Sequence, residues 1–175
     1  LLNLLSQMFI NVQFFGLEPF NNGFEKNKIN SYNHIENKNL EINHISYEDY
    51  DTNKQFDLIY LFNVFEHLKD WRHFIKNLPL LLKKNGRCVI LCPNYGFPYE
   101  SHFKIPIIFN KKITKFFFMF FIEKYETSNS SKGLWESLNF VKKKEVIKFV
   151  LSEKFELEDR LEIIKDLVKR LDKDK

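Results

Sequence analysis

The stretch QFDLIYLFNVFEHLKDWRHFIKNLPLLLKKNGRCVILCPNY, residues 55–95, decides the fold. It opens on the continuous apolar run 56–62, the signature of a strand covered on both faces. Asp70 then precedes Trp71, Phe74, Ile75, Leu78, Leu81 and Leu82, which share one helical face, with Pro79 as a kink and Gly86 as the stop. RCVILCP, residues 87–93, is a second apolar strand, and strand, helix, strand in this order makes a right-handed parallel crossover.

Upstream, Leu1, Leu4, Leu5, Met8, Phe9 and Val12 line one face of a helix that no capping residue precedes, so the expectation is a chain beginning inside a helix. QFFGLEPF reads as a buried strand closing at Glu18-Pro19, the Asn-rich residues 21–39 as a surface helix or loop, and Leu40, Ile42 and His44 as a half-covered strand. Downstream, FNKKITKFFFMFFIEKY combines Lys111, Lys112 and Lys115 with six Phe in a basic, aromatic helix. Lys142 to Lys144 start a solvated helix, and Ile163, Ile164, Leu167, Val168 and Leu171 mark a last one that meets no Gly or Pro before Lys175. Alternating elements of this kind predict a doubly wound α/β sheet, which binds ligands outside the carboxyl ends of its strands. Those ends carry Glu18, Ser46 to Asp49, Asn63 with Glu66 and His67, and Pro93 to Tyr95.

Composition narrows the field. The 175 residues suit one domain or slightly more, and 44% hydrophobic with 29% charged residues excludes a disordered chain or a fibre. A net charge of +4 is too small to argue for nucleic acid, and none is expected as a partner. Cys88 and Cys92 share one strand face and read as buried reduced thiols. The longest apolar run, FFFMFFI, falls far short of the roughly 20 residues that span a bilayer. LLNLLSQMFI lacks a basic leader, so the expected location is cytoplasmic.

FDLIYLFNVFEHLKDW, LLLKKNGRCVILCPNY and FGLEPF resemble, in order and spacing, the class I S-adenosylmethionine-dependent methyltransferases with a Rossmann-like sheet. The likeness implies that they are that family's fourth strand with its Glu-His loop, the passage into its fifth strand, and its second strand with the terminal acid. It covers residues 1–106 as a partial core, leaving 107–140 as a helical lid or acceptor-binding insertion after the fifth strand and 141–175 as a helix-strand-helix completing the domain. GLWESLNF, residues 133–140, is similar to segments in methyltransferases of bacterial sugar and surface-polymer clusters. The family's Gly-rich turn after its first strand has no counterpart here, since GxGxG occurs nowhere among the five glycines. The first strand is therefore expected to be missing, through truncation before Leu1 or in a degenerate copy.

The resemblance implies S-adenosylmethionine as cofactor, with Glu18 on the ribose hydroxyls, Ser46 and Tyr47 near adenine, and Asn63 and Val64 near the sulfonium and the acceptor. His67, beside Glu66, and His102 are the candidate general bases. Tyr95, Tyr99, Glu100 and His102 would wall a pocket for a small-molecule or glycan acceptor. Ubiquinone-type relatives hold a divalent metal with a Glu where this chain has Asn63, so no metal is expected. Two rival readings stand beside this one: an inactive remnant or interaction module, and a peripheral membrane protein that docks through its Phe-rich helix.

Overall fold

Phe14–Leu17 extend as β1 and pair in parallel with Leu40–Asn43, β2, in the register Phe14 with Leu40 through Leu17 with Asn43. The structure is a computed structural model and describes residues 2–19, 38–163, Lys165, Asp166 and Lys169. Helix α1, Leu2–Met8, lies against this pair: a Cβ added to Gly16 would meet the Leu2 side chain at 2.7 Å. The Asn39 side-chain amide donates to the carbonyls of Ser6 at 3.0 Å, Phe9 at 3.2 Å and Val12 at 3.0 Å, which closes the open end of the helix. That clamp sets the roll of α1. Ser6 is buried while Leu4, Met8, Phe9 and Val12 are exposed, so the expected apolar face turns away from the strands.

The central crossover forms as the sequence predicts. Phe56–Phe62 is β3, Trp71–Leu81 is α2 and Leu82–Leu91 is β4, with β3 and β4 parallel. Asp70 Oδ1 accepts from the amides of Arg72 and His73, both at 3.0 Å, and the helix buries Trp71, Phe74, Ile75 and Leu78. Two expectations are corrected. Gly86 does not stop α2, which ends at Leu81. Leu82 already pairs with Phe56, and the register then jumps to Leu58 with Arg87. The looped-out residues put Asn85 in the left-handed region (φ 68°), and a Cβ on Gly86 would lie 2.9 Å from both the Phe56 and the Lys83 carbonyl oxygens. Nor are both faces of the strands covered: Ile59, Leu61, Cys88 and Ile90 pack on the core, whereas Leu58, Phe62, Val89 and Leu91 are exposed.

Beyond β4, Tyr99–Glu100 (β5) and Ile105–Pro106 (β6) form a short antiparallel pair, followed by α3 (Lys111–Ser128), α4 (Leu134–Ser137) and α5 (Lys143–Ser152). Phe103 packs edge-on against Trp135 at 5.4 Å and tilted against Tyr125 at 4.9 Å, while Phe140 stacks on Tyr95 at 4.5 Å. These rings join Phe65, Trp71 and Phe74 in one hydrophobic core. The architecture is thus mixed α/β with parallel pairs, and the described strands form three two-stranded sheets. Among the described residues of 141–175, α5 is followed by an irregular stretch at 155–160 and by helical residues from 161. Most of the Asn-rich segment and Ile164, Leu167, Val168 and Leu171 lie outside the described residues. No helix among those described is long and apolar enough to cross a membrane.

Candidate functional site

The carboxyl ends of β1 and β3 open into a cleft of about 480 Å³. Its walls include Glu18, Ser46, Tyr47, Asn63, Val64 and His67, so the structure brings together six of the seven residues singled out from sequence. His102, the seventh, stands directly behind: its ring centroid lies 5.6 Å from that of His67.

The walls are held by bonds to one another and to the helix behind them. Tyr47 sets its ring edge-on to Phe74 at 5.0 Å, and its hydroxyl accepts from the Asn77 amide at 3.0 Å. Ser46 donates to Asp49 at 2.7 Å, tightening that turn. The Lys69 amide donates to Glu48 at 3.1 Å, tying the 46–49 turn to the one after β3. Asn63 ends β3 in the left-handed region at φ 54°, while its N–H still donates to Leu91 at 2.8 Å. A short polar residue tolerates that backbone, which turns the chain sharply out of the strand.

Four wall residues were not legible in the sequence: Glu136 and Ser137 at the end of α4, and Leu138 and Asn139 just after it. Asn139 clamps the turn at 65–68: its side-chain amide donates to Phe65 at 2.9 Å and to Leu68 at 3.2 Å, and its backbone N–H donates to Glu66 at 2.8 Å. More than 70 residues separate these partners, so no local pattern announces the contact.

Behind the cleft lies a buried polar cluster. The Glu100 side chain is fully buried and accepts from Tyr95 at 3.2 Å, from His102 Nδ1 at 2.7 Å and from the Phe103 amide at 2.6 Å. Burial works to raise the Glu100 pKa, but the bonds from His102 and the backbone outweigh it and hold the carboxyl below its ordinary range. The same bond raises His102. His67 is driven the other way, to about 4, first by burial and then by the neighbouring His102 charge. Glu66 is fully buried, no other side chain among the described residues donates to its carboxylate, and burial raises its pKa against the pull of its own backbone N–H. Tyr95 and Glu100 are therefore interior residues, while Tyr99, the other expected wall of the acceptor pocket, is exposed.

The charge of the cleft is informative. Among the described lining residues Glu18, Glu48, Asp49 and Glu136 outnumber the one lysine, Lys69, although Glu136 is ion-paired with Lys115 outside the cleft, and His67 is neutral at physiological pH. Such a surface suits a hydroxyl-rich or cationic ligand and disfavours a polyphosphate.

A family model described as a methyltransferase domain matches residues 1–88, and the chain belongs to that family. Two similar proteins of Mycobacterium tuberculosis, from strains CDC 1551 / Oshkosh and ATCC 25618 / H37Rv, are each 36% identical to it over 102 residues. Both carry the name "uncharacterized protein". The match covers 58% of this chain and 35% of each relative, so the chain spans about a third of the length of the curated relatives it matches.

Proposed function

We propose that the chain carries the cofactor cleft of an S-adenosylmethionine-dependent methyltransferase that acts on a small-molecule or glycan acceptor, at oxygen or nitrogen. The observation that carries this reading is the acid-rich cleft at the strand ends, where Glu18, Asn63, Val64 and His67 meet in a chain of the methyltransferase-domain family. Under this reading β1–β2 and β3–β4 are portions of one Rossmann-like, doubly wound sheet. Residues 107–140 serve the acceptor, and the protein works in the cytoplasm.

The cleft fits the adenosine half of such a cofactor. Glu18 offers two acceptor oxygens to a pair of ribose hydroxyls, and Ser46 and Tyr47 border the space for the base. Asn63 and Val64 flank the region toward His67, and the surplus of acids complements a sulfonium charge. The cofactor, when bound, supplies a methyl carbon already activated by positive sulfur. The protein must then hold the acceptor in line and assist loss of its proton. His67, neutral and on the cleft wall, is the candidate base for that proton, with His102 and Glu100 as the polar support behind it.

Calorimetry with S-adenosylhomocysteine tests the reading. Micromolar binding is expected, weakened roughly tenfold or more in Glu18→Ala, as loss of charged hydrogen bonds of about 1.5–3 kcal/mol implies. A folded chain that gives no heat would favour the remnant or interaction module instead, and a Glu18→Ala variant that binds as well as the parent would remove Glu18 from the ribose contact.

The exposed side of α3 supports a second element of the proposal, contact with an anionic membrane surface. Thr114 and Ile122 face the core, while Phe109, Phe116, Phe117, Phe120 and Phe121 project outward, with Phe116 and Phe120 79% and 70% exposed. The exposed Lys112 and Lys124 on the same helix supply positive charge that such a surface attracts, while Lys115 is paired with Glu136.

A further inference from the structure

We infer that Glu66, His67 and His102 form a binding site for one divalent transition-metal cation. The sequence reading expects no metal, because Asn63 stands where an acid would be needed. The fold supplies a donor from elsewhere instead: His102, on the segment between β5 and β6, reaches the turn that carries Glu66 and His67.

Three observations converge. One potential ligand atom from each residue lies within 4.8 Å of the others. Glu66 Oε1 is the hub, 4.0 Å from His67 Nε2 and 3.9 Å from His102 Nε2. A cation about 2.1 Å from each donor in tetrahedral geometry sets ligands about 3.4 Å apart. Each Glu66–histidine separation must therefore close by roughly half an ångström, and the two imidazole nitrogens, within 4.8 Å of one another, must draw together as well.

The outer contacts already orient both rings. His102 Nδ1–H donates to Glu100, which leaves the lone pair of the neutral ring on Nε2, toward Glu66. Ser137 Oγ donates its proton to the Leu134 carbonyl at 2.7 Å, so at 2.8 Å from His67 it accepts from Nδ1–H. His67 therefore also presents its lone-pair nitrogen on the Glu66 side. A carboxylate or hydroxyl on the far nitrogen of each imidazole is the outer shell that tunes metal-bound histidines.

Glu66 makes the case for a ligand. Among the described residues no side chain donates a hydrogen bond to the buried Glu66 carboxylate, a costly arrangement that a cation relieves. Two neutral imidazoles with one carboxylate suit zinc, cobalt or iron better than magnesium or calcium. Three protein donors leave such an ion at least one open position. The bound ion uses both imidazole lone pairs and so replaces the proton-accepting role given to them above. Cation binding itself does not depend on the methyl donor.

The test uses the 175-residue chain stripped with chelator and dialysed against Co²⁺, with bound metal counted and the visible d–d absorption recorded. One cobalt per chain is expected, with histidine Nε2 resonances of His67 and His102 shifted by Zn²⁺ in the unsubstituted protein and those of His44 and His73 unmoved. Glu66→Gln and His102→Gln should each weaken Co²⁺ binding at least tenfold while keeping the parent circular dichroism. A folded parent that takes up no stoichiometric cobalt overturns the site, as does uptake that both variants retain. Zinc shifts confined to other histidines overturn it even if a variant fails to fold. Failure here leaves S-adenosylhomocysteine binding intact, so the two readings fall separately.

Discussion

His67 and His102 meet edge to face, ring centroids 5.6 Å apart and planes at 71°, and each is aimed by a partner on its outer nitrogen. For His102 that partner is Glu100, which also takes the Tyr95 hydroxyl and the Phe103 amide. Glu100→Gln keeps the shape but removes the charge and sets an NH₂ group among three donors. The loss should be about 1–3 kcal/mol of stability, read as a fall in Tm of the chelator-treated protein. An unchanged Tm would mean that the cluster contributes nothing to the fold.

Asn139 bears on a different part of the same turn. Asn139→Ala frees the Phe65 and Leu68 carbonyls and opens the loop that walls the cleft. Denaturant midpoints should move by an amount corresponding to about 1–3 kcal/mol, and affinity for S-adenosylhomocysteine should fall with them. If stability drops while affinity stays constant, the 136–139 loop holds the fold and takes no part in the site.

The thiols give a pH signature. Burial pushes Cys88 and Cys92 up to about 12, with Glu66 adding to the effect at Cys92. An unfolded thiol ionises near pH 8.5, roughly, so the folded state favours the neutral form. That contribution is intact below about pH 8.5 and is lost as pH rises from there toward 12. Stability measured between pH 8 and 11 should therefore fall, and a Cys88→Ala, Cys92→Ala chain should fall less. Iodoacetamide at pH 8 should label the native protein slowly and the denatured protein at once, since only the thiolate reacts. Fast labelling of native protein would contradict the burial of these strand faces.

The aromatic helix makes a prediction about surfaces. With anionic vesicles of phosphatidylserine and phosphatidylcholine, the parent chain should float, and Phe117→Asp with Phe121→Asp should leave it in the bottom fraction. Both positions are exposed, so the substitutions should cost the fold little. Flotation that survives the double change would remove α3 from the membrane reading.

Local chemistry made the central crossover readable: Asp70 as cap, apolar residues at helical spacing over 71–78, and an apolar run on either side. The strand-end residues Glu18, Ser46, Tyr47 and Asn63 were readable for the same reason, because direction along a parallel sheet puts chain ends on one edge. Asn139 and the approach of His102 to Glu66 were not, since their partners come from different elements and only packing brings them together. Gly86 was misread because a helix stop and a glycine crowded by a neighbouring strand look identical in sequence. The roll of α1 also escaped, because three carbonyls tied to Asn39 outweighed a pattern of apolar side chains.

Gly86 has one more implication, for tolerance to change. Its missing side chain is demanded by two carbonyl oxygens 2.9 Å from where a methyl would sit, one of them on β3. In a library of single substitutions read out by protein abundance, position 86 should be nearly empty of survivors, Gly86→Ala included. Neighbouring Lys84, exposed to solvent, should accept almost anything. A sharp contrast between codons two apart, with no ligand or reaction involved, would then trace the path of a backbone rather than the outline of a binding site.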